Sequence, residues 1–126
     1  MSKAALTLKW FAVYLALLGL ILVLVPNLPL QLMGMTLTHE VWIRVVGVLA
    51  FNIGLYYWFA AGSESRAFFL ATVYSRALVL AAFAGFVAFQ LGEPLLILFG
   101  AIDCLGGLWT LRAVRQDDQT RLALAR

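Results

Sequence analysis

AFFLATVYSRALVLAAFAGFVAFQLGEPLLILFGAIDCLGGLWTLR, residues 67–112, is two apolar runs joined by Gln90-Leu91-Gly92-Glu93-Pro94. Each run carries one full charge in its interior, Arg76 in the first and Asp103 in the second. A charge in hydrocarbon is costly and marks a functional-site candidate by default. The rest of the chain has the same apolar character. Of its 126 residues, 64% are hydrophobic and 12% charged. Soluble domains carry about 25% charged residues. A fold of this length has too little interior to hide that much apolar surface, so lipid is the expected solvent.

Working outward, four apolar segments are expected to be transmembrane helices: residues 8–25, 41–61, 67–90 and 95–112. Each has about 18 to 24 residues, enough to cross a hydrocarbon core of about 30 Å. The expected fold is an all-α integral membrane four-helix bundle forming one domain. A short basic cytoplasmic tail from about residue 113 is expected to lie on the surface or fray. Pro26-Asn27-Leu28-Pro29 ends the first segment, because proline cannot continue helical hydrogen bonding. Lys3 and Lys9 before an apolar run also fit a signal peptide. The run is long and no small-x-small cleavage pattern follows, so it reads as an uncleaved anchor.

Residues 26–40 are apolar and lack Lys and Arg, which suits a connection lying in the membrane interface. Met33, Met35 and His39 are ligand types that suit Cu(I). The reading taken is a greasy loop with one interfacial histidine and no metal. Gly47 and Gly54 repeat at the spacing of Gly100 and Gly107, as a duplicated helical hairpin would. Cys104 lies in an apolar run and reads as a small packing residue.

With four alternating helices, Lys3, Lys9, Arg66, Arg112, Arg115, Arg121 and Arg126 share one side. The positive-inside rule then places both termini in the cytoplasm, with the chain multi-pass in the membrane. The net charge of +3 anchors topology and does not point to nucleic acid.

Orientation sets depth. Arg76, Asp103 and Asn52 each fall roughly 14 Å from the inner end of their segment, with Tyr56 and Tyr74 about one turn nearer the cytoplasm. On the second segment Arg44, Val48, Asn52 and Tyr56 share a face, expected to look into the bundle. Thr72, Arg76, Leu80 and Phe83 share a face of the third segment. Gly100, Asp103, Gly107 and Thr110 share one of the fourth. The candidate cluster is therefore Asn52, Arg76, Asp103, Tyr56 and Tyr74. Two accounts of it stand: mutual neutralisation that fixes helix register, or a site for a headgroup, quinone, small solute or proton. Arg44, Glu40, Gln90 and Glu93 form a second, outer polar layer, read as interfacial solvation.

No catalytic residues are assigned. There is no Gly-rich phosphate loop, no Cys-x-x-Cys and no His-Glu-x-x-His. The one histidine, His39, lies away from the inner cluster, so no serine has an activating base. The layout resembles the DoxX-like group of small bacterial four-helix membrane proteins and the uncharacterised families around them. The similarity is carried by Pro26 closing helix 1, Arg44-Val45-Val46-Gly47 opening helix 2, Arg76 in helix 3 and Asp103 in helix 4. The resemblance implies a place in the bacterial inner membrane and accessory or quinone-facing roles beside oxidoreductases.

The expectation is a non-enzymatic accessory or lipid- or quinone-binding subunit, self-associating or part of a larger membrane complex. Lipid or quinone is the ligand class, and no other cofactor is assigned. The alternatives are a small proton-coupled transporter using Asp103 and a subunit of a quinone-linked membrane enzyme.

Overall fold

The computed structural model describes residues 1–126. It is all-helical: α1 Lys3–Leu24, α2 Asn27–Leu32, α3 Trp42–Gly62, α4 Arg66–Ala88 and α5 Leu96–Leu124. Four of these, α1, α3, α4 and α5, are long and apolar enough to cross a membrane. The chain divides into two compact units. One comprises Met1–Leu8 with Ala60–Arg126, the other Lys9–Phe59.

In the Lys9–Phe59 unit, α1 and α3 meet at glycines. A β-carbon on Gly54 would lie 2.9 Å from the Ala12 carbonyl oxygen. One on Gly47 would lie 2.8 Å from the Gly19 carbonyl oxygen. Only glycine permits backbones this close, the packing device of apolar helices in membranes. Tyr57 is buried on the same side of α3, and its ring stands 5.7 Å from that of Phe11.

This contact corrects the expected inward face of α3. Arg44, Val48, Asn52 and Tyr56 are all exposed. At 100° per residue their stripe lies nearly opposite Gly47, Gly54 and Tyr57. The backbone approach at the glycines outweighs the tendency of polar groups to turn inward.

The connection after α1 is also more ordered than a plain loop. Pro26 ends α1, and the chain at once forms α2. The Met35 N–H bonds the Leu30 carbonyl, and Gly34 has φ +68°, the left-handed residue that closes a helix. The Asn27 side chain then accepts the Thr38 N–H at 2.9 Å.

In the other unit, α4 packs along α5. A β-carbon on Gly100 would lie 3.0 Å from Leu80 Cα, and one on Gly107 3.5 Å from Arg76 Cβ. Thus α5 presents to α4 two glycines seven residues apart, as α3 does to α1. Ser65 caps α4 by accepting the Phe68 N–H. At its far end Gln90 takes φ +59°, the Leu91 N–H bonds the Phe86 carbonyl and the Gln90 N–H bonds that of Val87. This is a Schellman closure with glutamine where glycine is usual.

Two ends differ from expectation. Helix α1 begins at Lys3, not Leu8, because its first N–H groups all find acceptors. Ser2 Oγ accepts from Ala5 at 3.1 Å, and the Asp117 carboxylate accepts from Ala4 at 3.0 Å and Lys3 at 3.3 Å. Such groups otherwise lack intrahelical partners. Helix α5 does not end at Arg112 but runs on to Leu124, so residues 113–124 are no frayed tail. Ala113 and Val114 are buried with Ala4, Ala5, Leu8, Ala61 and Phe69. Asp118 holds Arg66 at 2.8 Å, with side chains partly exposed. The chain start, the turn after α3 and residues 113–118 therefore meet at one end of this unit.

Candidate functional site

Arg76 is the most unusual group in the molecule. It stands in the middle of α4 with 2% of its surface exposed. Its neighbours explain how a guanidinium reaches that position. Gly107 of α5 has no side chain, and the Arg76 stem lies on it, Cβ and Cδ each 3.5 Å from where a β-carbon would stand. The stem thus packs as hydrocarbon while its head reaches α5.

There Arg76 Nη1 donates to Thr110 Oγ1 at 3.2 Å. The Thr110 hydroxyl is in turn 2.8 Å from that of Thr7 on α1. Thr7 donates to the Ala4 carbonyl at 2.7 Å, and the Gly106 carbonyl lies 3.1 Å from Thr110 Oγ1. With Thr7 donating to Ala4, Thr110 donates to Thr7 and accepts from Arg76. That order uses each hydroxyl proton once. Thr72, one turn before Arg76, is buried and donates to its own helix at Phe69. The network therefore ties α1, α4 and α5 together through a charge-assisted hydrogen bond.

Asp103 is one turn before Gly107 on the same face of α5. It is half-buried, and its carboxylate is within electrostatic range of Arg76. The shared faces read from sequence, Thr72 with Arg76 and Gly100, Asp103, Gly107 with Thr110, therefore bring Arg76 and Asp103 into one neighbourhood.

The other members of the expected cluster are exposed. Asn52 is exposed on α3, Tyr56 is 68% exposed and Tyr74 is 75% exposed. Tyr74 is two residues from Arg76, and 200° of helical rotation turns it outward. Thr7 was missed because it precedes the apolar run taken as the first helix. The signal was present: Ser2-x-x-Ala5 with Thr7 places a capping residue and a second hydroxyl just ahead of Leu8.

The outer-layer residues line one exposed hollow in each unit. Glu40 and Arg44 line a hollow of about 410 Å³ with Asn27, Gln31 and His39. Arg44 Nη1 donates there to the Val23 carbonyl near the end of α1. Gln90 and Glu93 line a separate hollow of about 390 Å³ at the turn before α5. Gln90 also has a backbone role as the left-handed residue closing α4.

These features define a class: an all-helical chain with four candidate membrane spans and one buried arginine bonded to a threonine. Compared with known proteins, the chain matches no family model, no curated protein and no solved structure.

Proposed function

We propose that this is a multi-pass protein of the bacterial inner membrane, a four-helix bundle with both termini cytoplasmic. Its role is non-enzymatic, as an accessory or lipid- or quinone-binding subunit of a larger assembly or homo-oligomer. One observation carries the reading: large apolar side chains are exposed along all four long helices, Leu17, Leu49, Leu78 and Leu105 among them. Exposed patches beyond a few hundred Å² mark interaction or membrane surfaces. The engagement of Arg76 with Thr110 and Thr7 supports a structural use of that charge. The affinity with the DoxX-like group belongs to the same proposal.

Native mass spectrometry from mild detergent tests it. Lipid, quinone or a protein partner should co-purify. A bare monomer in every detergent and in nanodiscs would overturn the reading.

A second reading rests on Asp103, which is only half-buried and so open to a proton or solute. In a proton-coupled transporter, Asp103→Asn would abolish proton-driven flux in proteoliposomes while leaving the protein folded. Unchanged flux would remove that reading.

A further inference from the structure

We propose that a groove between the first turns of α1 and the later turns of α5 holds an anionic phospholipid by its phosphate. The proposal rests on the membrane reading and deepens it, naming the lipid class and the place.

The groove has a volume of about 340 Å³ and lies wholly within the Met1–Leu8 and Ala60–Arg126 unit. Lys3, Leu6 and Thr7 line it from α1, and Trp109, Arg112 and Gln116 from α5. Their spacings, i to i+3 and i+4 on α1 and i, i+3 and i+7 on α5, put each set on one helix face. The lining changes character along the helices. Lys3 Nζ donates to Gln116 Oε1 at 3.4 Å, so these two share a level at the outer rim. Arg112 comes one turn further in along α5. Leu6, 47% exposed, lies at about the level of Arg112, and Trp109, 51% exposed, lies about one turn deeper. Two cations thus stand toward the outer end of a groove whose side is Leu6 and whose inner end is Trp109, the order of a phosphate above its acyl chains.

No carboxylate lines this groove. The nearest along α5, Asp117, is turned to the backbone N–H groups of Lys3 and Ala4 and caps α1. Asp118 is held by Arg66. The lining of the groove is therefore cationic, and the acids beside it are hydrogen-bonded elsewhere. Basic pockets between membrane helices on the cytoplasmic side are recognised sites for anionic headgroups. The apolar floor selects a lipid over a free phosphate, because Leu6 and Trp109 offer inorganic phosphate nothing.

The test uses the full chain in lipid nanodiscs, with insertion checked first by flotation. Native mass spectrometry then follows retention of phosphatidylglycerol against phosphatidylcholine at equal fractions. The parent should retain phosphatidylglycerol preferentially. Lys3→Gln and Arg112→Gln should each reduce that preference about fivefold, and the double change about thirtyfold. Lys3→Arg with Arg112→Lys should keep it, and Arg115→Gln, a nearby exposed charge outside the groove, should leave it unchanged. Circular dichroism confirms that each variant is helical. Equal preference in the parent and the double variant overturns the proposal, as does an equal loss from Arg115→Gln. Displacement of the lipid by millimolar inorganic phosphate overturns the lipid assignment. Failure to insert overturns the membrane reading and the proposal with it, whereas insertion without lipid preference overturns the proposal alone.

Discussion

Arg76 is held by what surrounds it, and its energetics follow from that. Removing one member of a buried charged pair typically costs about 3–5 kcal/mol, while replacing both by apolar groups can be nearly neutral. Arg76→Gln and Asp103→Asn should each lower the thermal midpoint, Asp103→Asn by less because that group is half-buried. Arg76→Met with Asp103→Leu should recover most of the loss. Thr110→Val removes the acceptor of Arg76 Nη1, a charge-assisted bond of about 1.5–3 kcal/mol. Thermal unfolding in one detergent compares all four, and parental midpoints for both single charge variants would show that the groups are not partners. A second residue sets a pH response outside the spans. Hydrogen bonds from Ser2, side chain and backbone, hold Glu64 below its usual value of 4.5. Since the unfolded carboxyl titrates higher, this stabilisation is full above about 4.5 and is lost as pH falls through the lower folded value. Glu64→Gln should therefore flatten part of the acid limb of stability, seen by comparing midpoints from about pH 6 to about pH 3. Identical acid limbs would remove Glu64 from the account.

The long helices are brought together by glycines, but not all the glycines are equally constrained. At Gly54 an added methyl meets backbone, Ala12 O at 2.9 Å and Ala16 N at 3.0 Å, and backbone cannot rotate aside. At Gly107 it meets the Arg76 side chain at 3.5 Å, an ordinary contact. Gly54→Ala should thus cost about 1–3 kcal/mol through overpacking. Gly107→Ala should be neutral or gain up to about 1 kcal/mol from helix propensity. Unfolding midpoints measured side by side decide it, and the reverse order would mean that α1 and α3 do not meet at Gly54. The seven-residue glycine spacing was legible in the sequence and marks the contact sides of α3 and α5. The polar stripe of α3 was legible too, but it misled. Periodicity shows which residues share a face and not which face is covered.

For the whole molecule, α5 is the element whose length matters most. Its 29 residues extend about 43 Å, more than the roughly 30 Å of a hydrocarbon core. The surplus carries Arg115 and Arg121 beyond the apolar part, at the end where Ser2 meets Glu64 and Asp118 meets Arg66. The membrane reading puts that end in the cytoplasm. In a Cys104→Ala background, the Gln31→Cys variant should react with an impermeant thiol reagent in intact cells. The Ser63→Cys variant should react only after the cells are opened. The opposite pattern would invert the topology.

The apolar runs alone determined that the chain has four long segments able to form membrane-length helices. Hydropathy sums over a segment and needs no knowledge of neighbours. Helical spacing alone also put Arg76 with Thr72 and Asp103 with Gly107. Three things were decided by tertiary structure. Asn52 and Tyr56 are exposed because backbone contact at glycines, not side-chain polarity, chooses the buried side of α3, and Tyr74 is exposed because it is on the far side of α4 from Arg76. Thr7 joins that network because Asp117, over a hundred residues away in sequence, caps the first turn of α1. Residues 113–124 remain helical because Ala113 and Val114 have Phe69 and Ala5 to pack against. In each case the deciding partner is remote in the chain, where neither hydropathy nor period can register it.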